Sequence, residues 1–235
     1  DFTRLIGEDI KGMKIAVPNY FVSSVVDSKV VERIKEVCDF LIKKGCIVDY
    51  VDINHIDKAP ILYQIIAMGE ASSNLARFDG IRYGLKEDSN TLEDLYKKTR
   101  SKGFGREVKR RIMVGSYILS GENAKIYYNK ALQIRDDLKK SFDKVFNDYD
   151  LIIGPSSSRV AYDLNNNMDD PLKCFMDDIL VMHANMGGFP SLSLPVGLID
   201  NLPIGMQIMA KHFNEATIYK LASFIEKEFK VEEVK

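Results

Sequence analysis

The stretch MKIAVPNYFVSSVVDSKVVERIKEVCDFLIKKGCIVDYV, residues 13–51, decides the fold class. Met13–Val17 is a candidate for a short buried strand that ends at Pro18, and Ile47–Val51 is predicted to be the next strand. Ser28–Lys44 predicts a helix between them, and Gly45 supplies its C-terminal stop. The apolar face of that helix comprises Val30, Val31, Ile34, Val37, Cys38, Leu41 and Ile42. A strand, helix, strand order predicts a right-handed crossover between parallel strands, and therefore an α/β fold.

The rest of the chain extends this pattern, first with helices and then with strands. Helices are expected behind Pro60, after a Thr91 cap, over Val108–Ile118, Glu122–Tyr149 and Pro171–Asn185, and after Asn214. Further strands are expected at Leu151–Ile153, Ser191–Val196 and Ile204–Met209. Length alone allows one large domain or two small ones, and we favour one.

Charge and composition exclude several classes of protein. The chain has 33 basic and 34 acidic side chains, so its net charge of -1 offers no broad cationic field for nucleic acid or an anionic membrane. Cys38, Cys46 and Cys174 are odd in number and lack metal-ligand spacing, which predicts reduced thiols. No apolar run approaches the roughly 20 residues of a membrane span, and no signal peptide opens the chain. These features predict a cytoplasmic protein, and Asp1 in place of Met predicts further sequence upstream.

The tract EASSNLARFDGIRYG, Glu70–Gly84, is unusually polar for a segment that follows an apolar helix. Arg77, Asp79 and Arg82 surround Gly80, where a turn can bring charges together that a continuing helix would separate. The tract is either a structural ion-pair corner or part of a recognition site, because buried charges are usually paired.

Catalytic and metal-binding patterns are missing from the sequence. Ser156–Ser158 follow a predicted strand, but their spacing is not that of a nucleophile turn, which favours an ordinary polar turn. His55, His183 and His212 form no pair at ligand spacing, and the glycine-rich phosphate loops are absent. We therefore expect no catalytic residue, no metal site and no cofactor site in this chain.

Two charged residues instead suggest recognition of a small molecule. Arg111 lies on an otherwise apolar helical face and could bind a carboxylate through two parallel hydrogen bonds, while Asp178 could accept from an ammonium group. Together they would fit an α-amino acid. The alternative is that each side chain pairs with a structural partner.

Several segments carry a resemblance to a known family: EASSNLARFDGIRYG, GFGREVKRRI, DYDLIIGPSSS, HANMGGFPSLSLPVG and LPIGMQIMAKHF. The chain resembles the amidase signature family, and within it the glutamine-hydrolysing subunits of tRNA-dependent amidotransferases. The likeness covers nearly all of residues 1–235, which correspond to the C-terminal half of a single amidase signature domain. It implies a mixed, mostly parallel β-sheet flanked by helices on both faces.

The resemblance also implies an activity. Intact subunits hydrolyse glutamine with a Ser, a second Ser and a Lys of the N-terminal half, a tract that this sequence lacks, so the chain alone should be inactive. Ammonia would pass to a partner that amidates Glu-tRNA(Gln), or Asp-tRNA(Asn), using ATP and Mg. The implied partners are the B and C subunits of the amidotransferase. Mischarged tRNA would be bound indirectly, through the complex, and no membrane contact is implied. The implied glutamine-holding residues are Tyr63, Arg111 and Asp178.

Two other functions stay open at this point. The chain could belong to a plain amide hydrolase of the same superfamily that has no tRNA partner, or it could be a truncated, non-catalytic binding or scaffold module. The sequence also departs from the family pattern at Gln64, where relatives often carry a second Tyr, and at His183, where they carry Pro.

Overall fold

The computed structural model describes residues 1–82, 84–163 and 178–229. Within it the chain divides into two compact units, described separately below: a first unit of Asp1–Pro60 with Asp136–Lys235, and a second unit of Ile61–Arg135. Cys174 and residues 171–177 of the helix predicted over Pro171–Asn185 lie outside the described residues. In the described part of that prediction the helix begins at Met182, and residues 178–181 form a turn. The assignment of all 235 residues to one domain stays a prediction.

The regular elements follow the order expected from the sequence. The strands are β1 (Lys14–Pro18), β2 (Ile47–Val51), β3 (Leu151–Pro155), β4 (Ser191–Ile199) and β5 (Leu202–Ala210). The α-helices of the described residues are α1 (Ser28–Lys43), α2 (Ala59–Asn74), α3 (Leu92–Gly103), α4 (Arg106–Leu119), α5 (Lys130–Asp148), α6 (Met182–Gly187) and α7 (Glu215–Glu228). A π-helical segment, Ala124–Asn129, leads directly into α5.

The first unit contains a five-stranded sheet with the order β2-β1-β3-β5-β4. Strand β1 pairs in parallel with both β2 and β3, whereas β5 is antiparallel to β3 and to β4. Four strands therefore run in one direction and β5 alone runs in the other. The predicted fold class, a mixed and mostly parallel sheet flanked by helices, is confirmed.

Helix α1 forms the crossover predicted from residues 13–51. Its first turn is capped by Asp27, whose carboxylate accepts the Lys29 N–H at 2.8 Å. Gly45 follows the helix at φ +91°, a left-handed conformation that favours glycine. The predicted apolar face is buried except for Ile42, which is 50% exposed. The prediction was wrong for Ile42, which does not lie on the buried face of α1.

One face of the sheet is filled by aromatic and polar side chains. Gly154 of β3 is paired with Gln207 of β5, so both residues point to the same face. A Cβ added at Gly154 would lie 2.4 Å from Phe21 Cδ2, so the missing side chain makes room for that ring. His183 packs edge-on against Phe21, with ring centroids 5.1 Å apart. The buried polar residues His183 and Gln207 lie at this face.

The second unit contains α3, α4 and the π-helical segment, together with most of α2 and the start of α5. Thr91 caps α3 as predicted, since its hydroxyl accepts the Asp94 N–H at 3.1 Å. Helices α2 and α4 come into backbone contact at Gly115, where an added Cβ would lie 1.9 Å from the Met68 carbonyl oxygen.

Candidate functional site

The polar tract forms a turn about Gly80, as the sequence predicts. Gly80 adopts φ +82°, and Asp79 accepts the Ile81 N–H at 2.9 Å and Arg82 Nη2–H at 3.0 Å. The Ile81 N–H, and then Arg82, hold the pKa of Asp79 below its ordinary value. Arg77 instead donates to the carbonyl and side-chain oxygens of Asn74. Asp79 and Arg82 therefore pair with each other, while the Arg82 side chain is 65% exposed.

A cavity of about 260 Å³ opens beside this tract in the second unit. Its lining is formed by Gly69, Glu70, Ser73, Asn74, Leu119 and Tyr128. Neither of the predicted substrate-binding residues of this unit, Tyr63 and Arg111, contributes to that lining.

Arg111 lies in the second turn of α4, where its side chain is 46% exposed. Its Nε donates to Glu107 Oε1 at 2.8 Å, one helical turn earlier. Among the described residues, no acceptor is bound to its two terminal nitrogens. Glu107 is therefore a structural partner for one edge of the guanidinium, and binding of a carboxylate at the terminal edge stays a prediction.

Glu107 organises the basic cluster at the start of α4. It accepts from Arg110 through both carboxylate oxygens, at 2.8 and 2.7 Å, and from Arg111. The hydrogen bonds from Arg110 and then Arg111 lower the pKa of Glu107 to about 2. Glu107 consequently stays ionised at neutral pH and directs the Arg111 side chain.

Tyr63 lies in the first half of α2, and its side chain is partly buried. Helices α2 and α4 meet at Met68 and Gly115, five residues beyond Tyr63 and four residues beyond Arg111. Among the described residues, no hydrogen bond or ion pair joins Tyr63 to Arg111.

Asp178 belongs to the first unit and is exposed, although the next two residues, Ile179 and Leu180, are buried. Its carbonyl oxygen accepts the Val181 N–H at 3.2 Å, which closes a turn just before α6. Because Arg111 and Asp178 lie in different units, their joint binding of one ligand stays a prediction.

Two buried polar residues close to that turn, His183 and Gln207, were not among the predicted site residues. His183 has no exposed surface and Gln207 is 1% exposed. Burial lowers the pKa of His183, and the carbonyl oxygens of Leu180 and Ile56 that face its two ring nitrogens oppose that effect only in part. Gln207 could have been noticed as the one polar side chain in the apolar run Ile204–Met209.

The remaining candidates behave as ordinary structural residues. Ser156 hydrogen-bonds to Ser193 across the sheet, and Ser158 accepts the Asp27 N–H through its carbonyl oxygen. Cys38 and Cys46 are buried free thiols, and burial raises the pKa of each to about 11.

Within residues 1–82, 84–163 and 178–229, no cluster of His, Cys, Asp and Glu could hold a metal ion. None of the described helices is both long and apolar enough to cross a membrane.

The sheet order and its helices define a mixed α/β protein, and comparisons with known proteins narrow that class. The family model described as Amidase matches residues 1–219. The chain therefore belongs to the amidase family.

Curated relatives share much of its sequence. The chain is 48% identical over 227 residues to the A subunit of the Glutamyl-tRNA(Gln) amidotransferase of Streptococcus gordonii, a match that covers 96% of this chain and 46% of the relative. The corresponding protein of Lactococcus lactis subsp. lactis is also 48% identical over 227 residues, with 96% and 47% covered. The chain thus spans about half the length of the curated relatives that it matches.

Solved structures agree with this assignment. The crystal structure of the A subunit of Glutamyl-tRNA(Gln) amidotransferase from Thermotoga maritima superposes with a TM-score of 0.74 at 32% identity, covering 97% of this chain and 45% of that chain. A peptide amidase from Stenotrophomonas maltophilia gives a TM-score of 0.71 at 20% identity, covering 99% of this chain and 46% of that chain. The second likeness concerns the fold alone.

Proposed function

We propose that this chain is the glutamine-holding half of a subunit that hydrolyses glutamine within a tRNA-dependent amidotransferase. The ammonia released would convert Glu-tRNA(Gln) to Gln-tRNA(Gln), with ATP and Mg bound in a partner subunit. The partners would be the B and C subunits, in the cytoplasm. The high identity to relatives named for that subunit supports the proposal.

The observation that carries the chemistry is the half-exposed guanidinium of Arg111, whose terminal nitrogens have no partner among the described residues. Glutamine has an α-carboxylate and an α-ammonium group that do not react during hydrolysis of its side-chain amide. A cationic and an anionic side chain can therefore orient the substrate without taking part in the chemistry. Arg111 would bind the carboxylate, Asp178 would bind the ammonium group, and Tyr63 would complete the pocket.

The hydrolytic step itself would be carried out by residues that this chain does not contain. In the amidase signature family those residues are a Ser nucleophile, a second Ser and a Lys. We therefore expect the 235-residue chain alone to bind substrate groups without hydrolysing them.

Arg111→Ala in the full-length protein, assembled with its partners, tests this proposal. Loss of a charged hydrogen-bonding partner costs about 1.5–3 kcal/mol, so the KM for glutamine should rise about 10- to 100-fold. Activity supported by added ammonium salt should persist, because ammonia bypasses the glutamine pocket. Equal loss of glutamine-dependent and ammonia-dependent activity would contradict the assignment.

Arg110→Ala is the matched control, because Arg110 is the neighbouring residue and also binds Glu107. It removes an ion pair with the same Glu107 from the same helix turn and should leave the KM for glutamine nearly unchanged. A plain amide hydrolase would behave differently from the proposed subunit. It would hydrolyse amides without forming a complex with an ATP-dependent partner, which co-purification would reveal.

A further inference from the structure

A buried polar pair lies in the apolar core of the first unit, on the sheet face that contains Phe21. The pair consists of His183 from α6 and Gln207 from β5. Buried polar side chains are costly unless they are hydrogen-bonded, so their partners indicate what they hold in place.

Both side chains converge on one backbone oxygen, the carbonyl of Leu180. Gln207 Nε2 donates to it at 2.8 Å, and His183 Nδ1 lies 3.0 Å from it. Each side chain also reaches a second carbonyl: Gln207 Nε2 donates to Pro155 at 3.1 Å, and His183 Nε2 lies 2.8 Å from the Ile56 oxygen. Gln207 therefore ties the Leu180 carbonyl to the end of β3. The neutral His183 ring has a single N–H, and the ring lies between the Leu180 carbonyl and the short 3₁₀ helix Ile56–Lys58.

The side chains of His183 and Gln207 have little room to move. The His183 ring packs against Phe21 and Phe142, with ring centroids 5.1 and 6.1 Å away. Gln207 belongs to the interior strand β5, which is paired on both sides. Gln207, which donates to the Leu180 carbonyl, is therefore fixed by the sheet, and the His183 ring beside that carbonyl is fixed by packing.

Leu180 lies inside the turn that presents Asp178. The Val181 N–H closes this turn on the Asp178 carbonyl at 3.2 Å, and Ile179 and Leu180 are buried while Asp178 is exposed. We propose that Gln207, assisted by His183, is a positioning residue that fixes this turn and thereby the direction of the Asp178 carboxylate. This role rests on the proposed function, in which Asp178 binds the ammonium group of glutamine.

The positioning role can be separated from a purely structural one. Gln207→Met keeps the approximate length of the side chain and removes both donors. A purely structural role would lower only the thermal midpoint, whereas misplacement of Asp178 changes substrate binding. We expect the KM for glutamine to rise about tenfold or more, because small misplacements of a binding group are costly. The kcat measured with ammonium salt should not change.

Ser193→Ala supplies the matched control. Ser193 is the direct cross-strand neighbour of Gln207 on the same face, but its hydroxyl bonds to Ser156 and not to Leu180. His183→Phe is a second variant that preserves an aromatic ring and removes both ring nitrogens. It should raise the KM for glutamine in the same direction as Gln207→Met, and it keeps the test valid if that variant fails to fold.

The experiment uses the full-length protein in its complex, with Asp178→Asn measured in parallel. An elevated KM for glutamine in Asp178→Asn, Gln207→Met and His183→Phe, with Ser193→Ala unchanged, supports the positioning role. An elevated KM in Asp178→Asn combined with unchanged KM values in the two core variants overturns this role alone. An unchanged KM in Asp178→Asn itself overturns the assigned ligand of Asp178, and the positioning role with it.

Discussion

Gly115 offers a sharp quantitative test of the packing in the second unit. A Cβ at this position would lie 1.9 Å from the Met68 carbonyl oxygen and 2.7 Å from Ser72 Cβ. Ordinary carbon–oxygen contacts lie at about 3.3–3.6 Å, so the added carbon would be about 1.5 Å too close. The obstacle includes the backbone of α2, which cannot rotate away as a flexible side chain could.

Two opposing effects decide the outcome of Gly115→Ala. Alanine is favoured over glycine within a helix by about 1 kcal/mol, which alone would stabilise the protein. Overpacking costs about 1–3 kcal/mol, and a clash with backbone atoms lies at the upper end of that range. We expect a net loss of about 2 kcal/mol in the free energy of unfolding. For a chain of this size, that corresponds to a fall of about 4–8 °C in Tm.

Gly103→Ala is the matched control for this experiment. Gly103 also lies in a helix of the second unit, and a Cβ there would meet Leu85 Cδ2 at an ordinary 3.5 Å. The control should keep or slightly raise the free energy of unfolding. Urea titrations followed by circular dichroism would compare the two variants with the unmodified chain. Equal stabilities of Gly115→Ala and Gly103→Ala would refute the close contact between α2 and α4.

Two further predictions concern His183 and Thr91. Because burial lowers the pKa of His183 in the folded state, the unfolded chain binds more protons below about pH 6.5, and the free energy of unfolding should fall as pH drops below that value. His183→Phe should reduce this pH dependence, measured as the difference between the urea midpoints at pH 7.5 and pH 5.5. An equal difference in the variant and in the unmodified chain would contradict the prediction. Thr91→Ala removes the acceptor of the Asp94 N–H and should cost about 1 kcal/mol in urea unfolding, whereas Thr91→Ser should retain most of that stability. Equal losses in the two Thr91 variants would exclude a capping role.

Local patterns were enough to predict most of the secondary structure. The apolar face of α1, its stop at Gly45 and the strands on either side depend on neighbours within a few residues, which the sequence states directly. The resemblance to a known family supplied Tyr63, Arg111 and Asp178 as candidate binding residues. Glu107 and Arg111 have the spacing of neighbours on a helix. That spacing could not show that Glu107 binds only one edge of the Arg111 guanidinium.

The amino-acid order by itself determined the α/β class, the Thr91 cap of α3 and the family, because these depend on residue spacing and local backbone preferences. Only the tertiary structure decided that β5 runs against the other four strands, and that Gly115 lies against Met68. It also decided that Gln207 donates to the Leu180 carbonyl, which lies 27 residues away along the chain. Such contacts join residues that are distant in sequence, and therefore no local pattern specifies them.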